Sequence, residues 1–246
     1  MSSRVAILPI TQVPAGRYYQ PFGAARTMMH SRDTEIVIWG GAGTGKTRAH
    51  LEKLNLCAEL YPRMRGLILR LERTTLTETA LVTWEDEVLA PCQQVHPFGG
   101  RRVERYEYPN GSVVVVGGLD DPDSARKIMS GQYDRIHVIE CTEIGEKAWM
   151  GLTSRLRNNR MPYQQIVGCC NPQPRSWVAK RAARGDCLFL ESKHEDNPSI
   201  TNQYREILLR LRGDVGRSLR DAEWDRKAGS VQRLPNLLSL PQGGDD

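Results

Sequence analysis

Eight residues in the first fifth of the chain have the spacing of a loop that binds phosphate groups. They follow an apolar run at residues 36–39, typical of a buried strand, and precede a helical pattern that begins near Lys46. In this context the glycines let successive N–H groups point at a polyphosphate, and the helix N-terminus favours the same negative charge. We expect Lys46 to reach the β- and γ-phosphates and the Thr47 hydroxyl to hold Mg²⁺. The eight residues, which read G-x-x-x-x-G-K-T, are Gly40, Gly41, Ala42, Gly43, Thr44, Gly45, Lys46 and Thr47.

A second candidate chemical group lies at the end of a later apolar run. Residues 136–139 predict a buried strand, and Glu140 follows directly. A phosphate loop needs an acidic partner beside it, which holds Mg²⁺ or activates the attacking water. The usual arrangement has two successive acidic residues, and here Ile139 stands in the first position. We therefore expect Glu140 to be the general base and to share Mg²⁺ with Thr47 and ordered waters, with Glu143 assisting through water.

The rest of the chain alternates short apolar runs with helical patterns. The runs predict strands at 35–39, 67–69, 136–139, 165–169 and 188–191, and the periodicity predicts helices at 24–30, 46–60, 75–89, 146–157, 176–183 and 202–211. Asn110-Gly111 predicts the turn of an antiparallel hairpin over 103–116, and Thr77 is the candidate cap of helix 75–89. Strands that alternate with helices imply an α/β fold with a mostly parallel central sheet flanked by helices.

Composition sets the outer limits. A chain of 246 residues, 39% of them hydrophobic, is long enough for one large domain with a sizeable core. The net charge of +5 is compatible with nucleic acid but does not establish it. None of the six cysteines forms a C-x-x-C pair or a zinc-type set with histidine. No apolar run approaches the length of a membrane span, so we expect no membrane partner.

Taken in chain order, these segments resemble the ATPase (motor) domain of tailed-phage terminase large subunits. The resemblance covers nearly the whole chain. Its motifs lie at 19–21 with 23–26, in the phosphate loop, at 69–73, at 109–112 with 118–122, at 139–144, at 170–172 and, towards the C-terminus, at 195–198, 211–213 and Trp224. Each short string is weak alone, whereas their order is fairly specific.

The resemblance implies a fold and roles for particular residues. The fold is that of an additional-strand (ASCE) P-loop NTPase. In such a fold Gln20 contacts adenine, Asn171 senses the γ-phosphate, and an arginine from a neighbouring subunit completes each ATP site. Arg126 is the first candidate for that arginine, and Arg155 and Arg157 are alternatives. The implied organisation is an N-terminal arm at 1–33 that contributes to adenine binding, an ATPase core at 34–195, lid and linker helices at 196–231 and a disordered tail at 232–246.

The family also implies partners and a place of action. These are double-stranded DNA, copies of the chain in a ring, the portal of a procapsid and a small terminase subunit, in the cytoplasm of an infected bacterium. DNA contacts would be to phosphates, because packaging ignores sequence. The candidates for these contacts are Arg175, Lys180, Arg181 and Arg184, which solvation of a helix face explains equally well. The family's nuclease domain does not fit in this length, so we expect none.

Two alternatives to a packaging motor stay open. One is a nucleotide-binding assembly module that hydrolyses little ATP, which Ile139 in the usual metal position favours. The other is a different additional-strand ATPase of helicase or recombinase type. The family often has a basic residue where this chain has Ala42, which is a further departure.

Overall fold

Short apolar segments of this chain assemble into one sheet that carries helices on both faces. The protein is described by a computed structural model over residues 19–89, 94–171, 173 and 175–211. The strands are β1 (Glu35–Gly40), β2 (Arg65–Arg70), β3 (His96–Phe98), β4 (Arg105–Glu107), β5 (Val113–Gly118), β6 (Arg135–Val138), β7 (Gln165–Cys170) and β8 (Leu188–Ser192). The helices are α1 (Gly23–His30), α2 (Lys46–Leu60), α3 (Arg73–Glu78), α4 (Ala80–Val82), α5 (Pro122–Ser130), α6 (Glu146–Thr153), α7 (Trp177–Arg184) and α8 (Asn202–Arg210). A π-helical turn spans Thr83–Leu89, and 3₁₀ turns span Cys141–Glu143 and His194–Asp196.

The strand order brings the functional loops to one edge of the sheet. In the described residues the order is β3-β4-β5-β2-β6-β7-β1-β8, and only β3 and β4 pair antiparallel to their neighbours. Strand β7 lies between β1 and β6, so Gly168 is in register with Val37 on one side and Val138 on the other. The loops that follow these parallel strands therefore meet at their common carboxyl edge, where ligands bind in open α/β sheets.

Side chains along the strands point alternately to the two faces of the sheet, and each face is covered by an apolar layer. In β1, Ile36 and Ile38 join the cluster formed with α1, α2 and the segment from α3 to the π-helical turn. Val37 and Trp39 face the opposite cluster, which contains buried residues of α5, α6 and α7. Because both faces are covered, the central strands are continuous apolar runs, as expected for a parallel sheet.

The predicted helix at 75–89 is wrong in its continuity. The chain forms α3, breaks at Thr79, and continues through α4 into the π-helical turn. Thr77 is not a cap, because it lies inside α3 and its hydroxyl donates to the Arg73 carbonyl at 3.1 Å. The Thr79 hydroxyl donates in the same way to the Thr75 carbonyl at 2.7 Å. Threonine hydroxyls bonded back to the preceding turn compete with the backbone and bend helices.

Two further elements, β3 and α5, were not predicted. The hairpin around Asn110-Gly111 is present as β4 and β5, but β3 extends it by one strand. Pro122 begins α5, a helix that we did not predict from the sequence. Asp121 caps this helix, its carboxylate accepting the Ser124 N–H at 2.7 Å.

The predicted division of the chain is only partly within the described residues. Most of the arm at 1–33 and the whole tail at 232–246 lie outside them, as does the lid region after residue 211. The other predicted strands and helices are present; α2 has the predicted bounds, and the ends of the rest are shifted by a few residues. No helix in the described ranges combines the length and apolar character that a membrane crossing requires.

Candidate functional site

The G-x-x-x-x-G-K-T segment forms the turn between β1 and α2. Gly43 and Gly45 have φ values of 77° and 83°, a left-handed conformation that glycine adopts without steric cost. Alternation of such residues with ordinary ones makes a concave row of N–H groups that suits an anion. Gly45 is also the N-cap of α2, so the N-terminus of this helix faces the same concavity.

Lys46 lies inside the loop and is held by oxygen atoms. Its ammonium donates to the carbonyls of Gly40 and Gly41, at 3.0 and 2.6 Å, and contacts the Thr44 hydroxyl at 3.4 Å. It also donates to the side-chain oxygen of Asn171 at 3.2 Å. Burial lowers the pKa of Lys46, and the negative charge of Glu140 opposes this effect. The side chain is therefore an ammonium group placed where a phosphate could replace its carbonyl partners.

Glu140 follows β6 in a left-handed backbone conformation, with φ 50° and ψ 56°. Burial raises the pKa of its carboxyl group, while Lys46 and a hydrogen bond from the Asn171 backbone lower it. A raised pKa makes a carboxylate a stronger base. Lys46, Glu140 and Asn171 thus meet at the carboxyl ends of three adjacent strands.

Glu143, which we expected to assist through water, is paired with an arginine. Its two carboxylate oxygens accept from Nε and a terminal nitrogen of Arg70, at 2.9 and 2.6 Å. Arg70 ends β2, so this bidentate pair ties the turn after Glu140 to the next strand. The side-chain hydrogen bond to Glu143 raises the pKa of Arg70.

The oxygen donors near the loop fit Mg²⁺ in type. The Thr47 hydroxyl and the Glu140 carboxylate are hard oxygen ligands, and a magnesium site completes such a small set with phosphate oxygens and water. Thr47 Oγ1 lies 3.9 Å from the Cys169 thiol, a weak contact that leaves it available. Ile139 is buried in the core and contributes no ligand. Within the described residues no group of three or more His, Cys, Asp or Glu side chains could hold a metal alone.

The other predicted site residues lie farther out. Gln20 is exposed on the segment before α1. Arg126 is on α5 with 78% of its side chain exposed, 3.1 Å from Asp123. Arg157 is exposed and Arg155 is half-buried.

Two of the four candidate DNA-binding side chains are already paired with acidic residues. Arg181 is buried and lies 2.8 Å from Glu35, and Arg184 contacts Glu146 and Asp186 at 3.1 and 2.7 Å. Of the four, Arg175 and Lys180 are exposed without such a pair among the described contacts.

Behind the loop runs a buried polar chain that the sequence did not reveal. Cys169 Sγ, which contacts Thr47, is 3.8 Å from His50 Nε2, and His50 Nδ1 is 3.3 Å from His137 Nδ1. His137 Nε2 is 3.3 Å from the Arg135 guanidinium, which donates to the Gln165 side chain at 2.5 Å. Neither histidine belongs to a recognisable motif, so only the tertiary packing of α2 on β6 identifies them.

The fold and the site together define a class of protein. Strand β7 lies between the strand that leads into the phosphate loop and the strand that ends beside Glu140. This inserted strand is the defining feature of additional-strand P-loop NTPases, as predicted. The chain belongs to the phage terminase large subunit family, because the sequence model of that family matches residues 32–208.

Solved structures agree with this assignment at the level of the fold. The large terminase of a thermophilic bacteriophage superposes with a TM-score of 0.70 at 15% identity, over 83% of this chain and 54% of that one. A structure of the same terminase in complex with ATP-γ-S gives 0.64 at 14% identity, over 83% and 53%. The ATPase domain of the Thermus phage P74-26 large terminase gives 0.65 at 16% identity, over 84% and 94%. No curated protein matched in the sequence comparison. The chain spans about half the length of the first of these terminases.

Proposed function

We propose that this chain is an ATP-hydrolysing motor that translocates double-stranded viral DNA into a procapsid. The observation that carries the proposal is the meeting of Lys46, Asn171 and Glu140 beside the phosphate loop. Family membership and the fold shared with the P74-26 ATPase domain support it.

Each residue of the site has a task that follows from its position. The loop N–H groups and the α2 N-terminus bind the phosphates, and Lys46 exchanges its carbonyl partners for β- and γ-phosphate oxygens. Glu140 accepts the proton of the attacking water, a task for which its raised pKa is suited. Mg²⁺ held with Thr47 and Glu140 would neutralise the charge that develops on the phosphate oxygens. Asn171, in contact with Lys46 and with Glu140, responds to the γ-phosphate.

The proposed motor works as a ring with ATP between subunits. Arg126 is exposed on α5, as a residue that acts on a neighbouring subunit must be. Gln20 is the proposed adenine contact. The proposed partners are duplex DNA, the portal and a small terminase subunit, and the proposed location is the cytoplasm of an infected bacterium, docked on the procapsid.

A second candidate is a nucleotide-binding assembly module with little hydrolysis. The observation that favours it is Ile139, which is buried where a terminase-type site usually has its metal-binding acid. Such a module would bind nucleotide through the same loop but turn over slowly.

The deciding experiment measures ATP hydrolysis against protein concentration, with and without duplex DNA. For the motor, the rate per subunit rises with concentration, and Arg126→Ala lowers it by roughly a thousandfold or more. Lys127→Ala, an exposed neighbour on the same helix, is the matched control and keeps the wild-type rate.

One result would contradict the motor, and another would contradict the role of Arg126 in it. Negligible turnover under every condition, with ATP still bound, supports the assembly module instead. A rate per subunit that is independent of concentration and of Arg126 excludes a site completed by that residue in a ring.

A further inference from the structure

Three consecutive carbonyl groups of the phosphate loop accept hydrogen bonds from one later segment, residues 192–197. The Ala42 oxygen contacts His194 Nε2 at 2.8 Å, the Gly43 oxygen accepts from Asn197 Nδ2 at 2.6 Å, and the Thr44 oxygen accepts from Ser192 Oγ at 3.2 Å. Because a carbonyl can only accept, His194 donates from Nε2. The outer side of the loop is therefore fixed by three side chains, while Lys46 binds the two preceding carbonyls on the inner side.

These bonds fix the direction of the loop's N–H groups. The peptide unit is planar and trans, so its C=O and the following N–H point in opposite directions. Outward carbonyls at Ala42, Gly43 and Thr44 turn the N–H groups of Gly43, Thr44 and Gly45 inward. Two of these residues are glycines at positive φ, whose backbone has several accessible conformations when nothing restrains it. The side-chain donors restrict the loop to the backbone conformation whose N–H groups suit an anion.

The segment that supplies the donors is itself well anchored. The Asn197 side-chain oxygen accepts the Ser199 N–H at 3.0 Å, which sets the orientation of the amide that bonds Gly43. The Asp196 carboxylate accepts the Lys193 N–H at 3.0 Å and closes the 3₁₀ turn. The Tyr204 ring packs over Gly43 so closely that a Cβ there would lie 2.5 Å from a ring carbon.

We propose that Ser192, His194 and Asn197 are positioning residues that hold the phosphate loop in its phosphate-binding form. The N–H groups that they orient face the phosphates common to ADP and ATP. The three residues therefore set the affinity for both nucleotides by the same factor, without contact with either. This inference rests on the proposed nucleotide binding at the loop.

The test compares ADP and ATP dissociation constants, measured by calorimetry, for variants that remove a donor. Asn197→Leu and His194→Phe keep the approximate size of each side chain, and each is expected to weaken both nucleotides equally, by roughly five- to tenfold. His194→Gln places an amide N–H near the position of Nε2 and is expected to restore binding to within about twofold of wild type. Glu195→Gln, an exposed change in the same turn, is the control and leaves both constants unchanged.

The outcomes separate this inference from the proposal beneath it. If wild type binds neither nucleotide, both fail. If wild type binds the nucleotides and His194→Phe binds ADP as tightly as wild type does, the positioning role is excluded, but the proposed nucleotide binding stands. An equal loss of nucleotide affinity in His194→Phe and His194→Gln would also exclude the positioning role. In that case the hydrogen-bond donor, which only His194→Gln retains, would have no effect. Unfolding temperatures measured without nucleotide identify any variant that fails to fold. If Asn197→Leu fails to fold, the comparison of His194→Phe with His194→Gln still decides the question.

Discussion

The Lys46 ammonium lies 3.2 Å from the side-chain oxygen of Asn171, which is 125 residues later in the sequence. This hydrogen bond joins the phosphate loop to the end of β7. The backbone of Asn171 also bonds Glu140, so one residue contacts both Lys46 and the proposed base. We therefore expect a change in the position of Lys46 on nucleotide binding to be transmitted to Glu140, the proposed base.

Replacement of Asn171 should separate hydrolysis from nucleotide affinity. In Asn171→Ala, Lys46 keeps its loop contacts, so ADP affinity should change less than about threefold while ATP hydrolysis falls by roughly tenfold or more. In Asn171→Asp, a carboxylate competes with the phosphates for Lys46, so ATP affinity should fall as well. Gln173→Ala, an exposed change two residues away, is the control. Equal kcat values for wild type and Asn171→Ala in steady-state kinetics would contradict the coupling.

Substitutions at Glu140 and Glu143 should have very different effects on kcat, although the two residues are only three positions apart. Glu140→Gln removes the proposed base and should lower kcat by about 10²–10⁴ with ATP affinity retained. Glu143→Gln weakens the pair with Arg70 and should act mainly on stability, with a much smaller effect on kcat. Single-turnover hydrolysis and nucleotide titrations of both variants check this. Similar kcat losses in the two would show that the Arg70 pair, rather than a specific base, controls the reaction.

Local patterns predicted much of this site. The loop from Gly40 to Thr47 and the strand that ends before Glu140 are continuous in sequence, so apolar runs and glycine spacing indicated both. Asp121-Pro122 is also a local signal, an N-cap followed by proline, and α5 could have been predicted from it. The family resemblance, rather than any local pattern, supplied Asn171.

Contacts between distant segments were beyond such patterns. His194 and Asn197 approach the loop only because β8 pairs with β1 in parallel. The chain that follows β8 therefore leaves the sheet beside the phosphate loop, which follows β1. Arg70 and Glu143 meet because β2 and β6 are neighbours. Nothing in the residues near either pair specifies the strand order, which is set by how all the elements pack.

Buried histidines should make the fold sensitive to acid. Burial, reinforced by the positive charge of Arg135, lowers the pKa of His50 from its ordinary 6.5 to about 3. Between these values the unfolded chain binds a proton that the folded chain does not, so stability is full above 6.5 and is lost as pH falls towards 3. The free energy of unfolding should fall by up to about 1.4 kcal/mol per pH unit for this group.

Urea unfolding at a series of pH values provides the measurement for His50. His50→Gln should be less stable near neutral pH, because it disturbs the contacts with His137 and Cys169, but its stability should depend less on pH below about 6.5. His96→Gln replaces an exposed histidine and should keep the wild-type slope. Parallel curves for wild type and His50→Gln would exclude His50 as the source of the acid sensitivity.

The backbone at Glu140 should invert the usual stability order of alanine and glycine. Its left-handed conformation costs a residue with a Cβ about 1–2 kcal/mol, and glycine avoids this cost. Glycine also has more freedom in the unfolded chain, which lowers the stability of the folded protein by about 0.4–1 kcal/mol. Because Glu140→Ala and Glu140→Gly both lack the carboxylate, their difference isolates the backbone. Glu140→Gly should be the more stable of the two by up to about 1.5 kcal/mol.

A helical alanine provides the reference for that comparison. Ala148 lies within α6, where glycine should be less stable than alanine by about 1 kcal/mol. Chemical unfolding of Glu140→Ala, Glu140→Gly, Ala148→Gly and wild type gives both differences. Opposite signs at the two positions mean that the left-handed backbone at Glu140 is strained for a residue that has a Cβ. The same sign at both positions would mean that the left-handed backbone at Glu140 stores no strain.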